Sequence, residues 1–168
     1  MEKLNSLKLA FDQNGTVTAA TSSPLTDGAA ATLVCEENFA KENGLEILGR
    51  IKSTAVEGCD PNYMGLGPIA ATKKALERAK LSIKEIDIVE LNEAFASQSL
   101  ACIKDLDIDV EKVNLDGGAI ALGHPFGMTG SRIMTTLINS LHDADKQFGL
   151  ETMCVGGGQG MAMLIERL

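Results

Sequence analysis

Hydrophobic positions along the 168 residues change period several times, and from residue 44 onward the changes alternate between the two regular kinds. Ile47–Val56 (ILGRIKSTAV) reads as a strand. Pro68–Lys80 places Ile69, Thr72, Leu76 and Ala79 on one helical stripe, with Pro68 in the first turn, where its missing N–H costs nothing. Asp87–Leu91 is a short apolar strand, followed at once by a helical stretch over Ala94–Leu106, and Val113–Leu115 reads as a further brief strand. From about Gly127 a second amphipathic helix aligns Ile133, Met134, Leu137, Ile138 and Leu141. Thr152–Val155 and Met161–Ile165 complete the set of five strands. The five residues between the last two, Gly156–Gly160, are too few for a crossover and must join antiparallel neighbours.

Strands alternating with amphipathic helices predict an α/β domain with a five-stranded mixed sheet and helices on both faces. Ligands are then expected beyond the carboxyl ends of the strands. Residues 1–40 break this rhythm: Gly15–Ala20 reads as a strand, Ser22–Gly28 as a turn and Ala29–Cys35 as an apolar run without a partner. They are expected to be the remnant of another domain, with residues 41–168 forming the main one.

Composition narrows the function classes. A chain with 45% hydrophobic and 23% charged residues, and no long apolar segment, is expected to be an ordinary globular protein that neither crosses a membrane nor follows a cleaved leader, hence cytoplasmic. The net charge of −8, with no basic block, argues against a nucleic-acid surface. Cys35, Cys59, Cys102 and Cys154 are dozens of residues apart and form no C-x-x-C pair, which excludes a zinc ribbon or disulfide scaffold. No metal is expected, and any cysteine that matters should act as a thiol.

Three segments place reactive groups where strands end. Asn92, in LNEAFA, follows a strand directly; taken alone it reads as a helix N-cap. His124, in GHPFGMTG, is biased to an extended backbone by Pro125 and flanked by glycines that permit a tight path, so the imidazole is held where it could act as a base. The spacing fits neither the phosphate-binding loop nor the dinucleotide fingerprint. Cys154, in CVGGGQG, stands before glycines whose N–H groups are unobstructed, a thiol beside an oxyanion-binding amide. Each segment has a bland structural explanation alone. Together, at one rim of one sheet, they form the pattern of a composite active site.

The same segments, NEAFA (92–96), GGAIALGHPFGMTGSR (117–132) and CVGGGQG (154–160), resemble the three C-terminal signatures of the thiolases, which cleave or form 3-ketoacyl-CoA. GTVTAATSSPLTDGAAA (15–31) and YMGLGP (63–68) are similar to thiolase segments in the same order. The resemblance implies acyl transfer between CoA thioesters and a nucleophilic cysteine. His124 would activate that nucleophile, Asn92 would hold an oxyanion-hole water, Cys154 would move a proton at the substrate α-carbon, and Gly156 would lend its N–H to the second oxyanion hole. Ser23 would lie near the pantetheine arm, and Met64, Ala94 and Phe95 would line the acyl pocket.

The resemblance also implies no tightly bound cofactor, with CoA and acyl-CoA as substrates, and a homo-oligomer. Thr21 and Pro24 depart from the asparagine and glycine usual there. The family's nucleophile belongs to an N-terminal half outside this sequence, so the chain alone is expected to be inactive and to need that half as partner. A ketoacyl synthase of the same fold would carry a second histidine at Asn92 and nothing equivalent to Cys154. A non-catalytic acyl-CoA-binding or scaffold remnant is the remaining alternative.

Overall fold

The computed structural model describes residues 2–168. In chain order the elements are α1 (Glu2–Asn5), α2 (Glu37–Glu42), β1 (Gly49–Gly58), α3 (Gly67–Ala79), β2 (Ile88–Leu91), α4 (Ala96–Leu106), α5 (Ala119–Leu122), α6 (Thr129–Asp143), β3 (Phe148–Val155) and β4 (Gln159–Arg167). The strands form one sheet in the order β1-β4-β3-β2. β4 runs antiparallel to both neighbours, and β2 runs parallel to β3. It follows that β1, β2 and β3 all end at the same edge, which carries Cys59, Asn92 and Gly156.

Two cores sandwich the sheet. On one face Ala71, Ala75 and Leu76 of α3 and Cys102 and Leu106 of α4 pack on Val89, Leu91, Leu150 and Leu164. On the other, Met134, Leu137 and Leu141 of α6 pack on Ile88 and Ile165. The alternation of strand side chains produces this division: Ile88 and Val89 are adjacent and serve opposite faces. Gly149 brings α6 close, because a Cβ there would lie 2.8 Å from Leu137 and 2.9 Å from Leu141. No helix among the described residues is long and apolar enough to cross a membrane.

The sheet has four strands, not five. Val113 makes a single parallel bridge with Val89 and goes no further, because Asn114 turns into the left-handed region at φ 50°. The Asn114 side chain then substitutes for a strand, accepting from Leu91 N–H at 2.8 Å and donating to Leu91 C=O at 2.9 Å. Near the N-terminus, the stretch read as a strand over Gly15–Ala20 contributes only a bridge between Thr18 and Leu9 before a 3-10 turn at Ala19–Thr21, capped by the Thr18 hydroxyl. The apolar run Ala29–Cys35 is exposed throughout and outside regular structure.

Candidate active site

Asn92 continues directly from β2, and its N–H donates to Thr152 C=O at 3.0 Å. It does not cap α4: that helix begins at Ala96 with Phe95 in the cap position and no side-chain cap. The side chain is fully buried, its Nδ2 lies 3.4 Å from His124 Nε2, and its Oδ1 has no partner among the described residues. A buried amide with one unsatisfied oxygen is costly as pure architecture. Here the N-cap reading is displaced by one in which the amide serves the imidazole.

His124 is reached through Gly123, whose φ of 101° and close approach to the Thr26 side chain both require a glycine. His124 Nδ1 lies 2.6 Å from Thr129 Oγ1, and that hydroxyl donates its single proton to Pro125 C=O at 3.0 Å. Thr129 can therefore only accept from the ring, so the proton sits on Nδ1 and the lone pair is on Nε2. Asn92 Nδ2, a donor, faces that lone pair. Burial, and secondarily the Arg132 charge, lower the His124 pKa below 6.5, so the imidazole is held in its basic form. Phe126 meets the ring edge-on at 4.9 Å.

Cys154 is buried on β3, and burial is the largest cause raising its pKa above the usual thiol value. At rest it is a protonated thiol, a donor rather than a nucleophile. The strand ends one residue later. Gly156 and Gly157 are exposed, and Gly157 and Gly158 turn at φ 87° and 84° to start β4. Open space surrounds the Cα of Gly156, so a ligand can approach its backbone. The structure brings Asn92 and His124 into contact; Cys154 and Gly156 lie on the adjoining strand end at the same edge, with no hydrogen bond to either among the described residues.

The four other predicted residues gather around the Asn92 loop and the glycine turn. Ser23 N–H and Oγ both reach Ala94 C=O, at 3.1 and 3.3 Å, and Ser22 bridges Phe95. Phe95 is half-buried and stacks edge-on with Phe11 at 6.0 Å. Met64 is half-buried in a 3-10 segment, Pro61–Leu66, that leads into Gly67. Gly67 meets the backbone of Gly160 too closely for any Cβ on either. An open cleft of about 420 Å³ runs beside the histidine loop, between Thr26–Ala30 and Pro125–Met128.

Three site residues were not singled out from the sequence. Thr129 orients the imidazole. Glu93 accepts from Asn114 Nδ2 at 2.9 Å and Ile120 N–H at 3.1 Å, and its carboxylate occupies the place a Cβ on Gly118 would take. Asn114 clamps the end of β2 from a segment 23 residues downstream. Thr129 and Glu93 lie inside the quoted histidine and asparagine segments, so their proximity was readable there; no local pattern marks Asn114.

Residues 45–167 match the family described as "Thiolase, C-terminal domain", and residues 1–38 match "Thiolase, N-terminal domain". The chain belongs to the thiolase family. It is 62% identical over 172 residues to a 3-ketoacyl-CoA thiolase of Photobacterium profundum and 58% identical over 171 residues to one of Vibrio vulnificus, covering 100% and 99% of itself but 44% of each relative. Among solved structures it matches the Bacillus anthracis acetyl-CoA acetyltransferase with TM-score 0.97 and 48% identity. Human mitochondrial 3-ketoacyl-CoA thiolase in complex with CoA matches with TM-score 0.93 and 43% identity. Both matches cover 99% of this chain and 42% of the other. This thiolase chain thus spans under half the length of the relatives it matches.

Proposed function

We propose that the chain supplies the base and proton-shuttle half of a thiolase-type acyltransferase acting on 3-ketoacyl-CoA, and that the nucleophilic cysteine comes from an N-terminal half. On this reading residues 1–40 belong with that half and residues 41–168 form the C-terminal domain. His124 Nε2 takes the proton from the nucleophile's thiol. The thiolate attacks the 3-keto carbon, the bond between the α-carbon and that carbon breaks, and the electron pair left on the α-carbon takes the proton of Cys154. Free CoA gives its thiol proton back to Cys154, its thiolate takes the acyl group, and the nucleophile leaves as a thiolate that regains its proton from His124. Asn92, through a water at its unpartnered Oδ1, and Gly156 N–H serve the two developing oxyanions.

One observation carries the reading: the hydrogen-bond chain from Pro125 through Thr129 fixes His124 with its lone pair on Nε2, beside Asn92. A raised Cys154 pKa supports a thiol that gives and recovers a proton. Ser23, Met64, Ala94 and Phe95 lie where an acyl chain and pantetheine arm would pass, and CoA enters as substrate. A cytoplasmic location and a homo-oligomer complete the proposal. The test is 3-ketoacyl-CoA thiolysis by the purified chain with and without a separately made N-terminal half of a close relative. Turnover only in the mixture is expected. Robust turnover by the chain alone refutes the division of labour, and tight acyl-CoA binding without turnover in the mixture supports the non-catalytic alternative instead.

A further inference from the structure

On β2 and β3 the positions facing α6 are apolar except for two carboxylates. Ile88 and Gly149 both meet α6, so Glu90 and Glu151, two residues further along β2 and β3, point the same way; they are also direct register partners. Glu90 is completely buried. Arg132 of α6 brings Nη1 to 3.5 Å from Glu90 Oε2. Among the described residues neither oxygen of Glu90 has a hydrogen-bond partner, nor does Glu151 Oε2 or Arg132 Nη2. Two further carboxylates face the group, and each is otherwise engaged: Asp116 accepts from Ser140 at 2.6 Å, and Glu93 from Asn114 and Ile120.

The charges do not balance if every group is ionised. One guanidinium confronts two adjoining carboxylates in a medium where an uncompensated charge is expensive. A single proton on the pair removes the excess. Arg132 approaches Glu90, which leaves the proton to Glu151. Burial is the main cause raising Glu90 to about 7 and Glu151 to about 8, with Glu90's own charge adding to the rise at Glu151.

The cluster lies directly under the catalytic loop. Arg132 is three residues from Thr129, one turn along the same helix face, and Thr129 holds the imidazole. We propose that Glu90 is a positioning residue for His124: as a carboxylate it fastens Arg132 and the first turn of α6 to β2 and neutralises the guanidinium nearest the imidazole, while Glu151 beside it stays protonated. The inference rests on His124 being the base, but its test needs no turnover, so the cluster and the activity stand or fall separately.

The test uses the 168-residue chain with carbon-13-labelled glutamate carboxyls and follows both imidazoles by NMR, His142 serving as internal reference. At about pH 7.5, between the two values, one glutamate should carry most of a proton, and that signal should vanish in Glu151→Gln. Between about pH 5 and pH 8 the folded chain then binds more protons than the unfolded one. The unfolding constant should therefore rise by up to about tenfold per pH unit for each carboxyl the fold keeps protonated, and Glu151→Gln should flatten that rise. The double variant E90Q/E151Q leaves Arg132 uncompensated and should weaken proton binding at His124 by about threefold or more, whereas Arg132→Gln should strengthen it. A purely architectural cluster would alter stability and leave the imidazole unmoved. Absence of a protonated glutamate at neutral pH overturns the proposal, as does a His124 titration indifferent to both changes. Should the double variant or Arg132→Gln fail to fold, Glu151→Gln, which mimics the neutral acid, still gives the proton count and the pH profile.

Discussion

Thr129 accepts the Nδ1 proton of His124 across 2.6 Å while spending its own hydroxyl proton on Pro125 C=O. The relationship decides the tautomer, and with it which ring nitrogen can act. Thr129→Val keeps the shape but leaves a half-buried N–H without an acceptor, at a cost of about 1–3 kcal/mol. Nitrogen-15 NMR should show the imidazole losing its single tautomer. In the reconstituted enzyme turnover should fall roughly tenfold to a hundredfold, within the range of a disabled general base. An unchanged tautomer would contradict the assignment.

Stability should respond to His124 at mildly acid pH. Its folded pKa lies below 6.5, so as pH falls past 6.5 the unfolded chain takes a proton that the folded chain refuses. The contribution is fully present above that value and is lost towards the folded pKa. Chemical denaturation of the chain and of His124→Asn should therefore differ by a constant amount above about pH 7, with the difference shifting against the parent chain on acidification.

Asn114 should matter for the site although it touches no reactant. Its amide satisfies both backbone groups of Leu91, the last residue before Asn92, and Glu93 holds it there. Asn114→Ala should destabilise the chain by about 1–3 kcal/mol, and Gly118→Ala should act in the same direction by driving the Glu93 carboxylate from its place. Urea denaturation checks both. A change within error for both variants would remove the clamp from the account.

Exposed apolar side chains predict association. Leu25 is 85% exposed, Leu33 74% and Phe126 70%; Val34 and Leu122 are exposed as well, and Phe126 lines the open cleft. Sedimentation velocity should reveal oligomers or progressive aggregation at micromolar concentration, and a compact, stable monomer would count against it.

Sequence by itself determined the local pieces. Helical and strand periods located α3, α4, α6 and the four true strands, since each buries one stripe or alternate residues and the pattern is written within a dozen positions. The glycine spacing around His124 and after Cys154 likewise declared turns, because only certain residues reach those backbone angles. Tertiary structure decided what depends on meetings between distant segments. The reading of Val113–Leu115 as a fifth strand failed because Asn114 turns left-handed and pairs through its side chain. Asn92, a plausible cap by its neighbours alone, belongs to His124 instead, 32 residues on. The ion cluster of Glu90, Glu151 and Arg132 was invisible along the chain for the same reason: whether a charge is buried, and what compensates it, is set by the strand register and the helix laid across it.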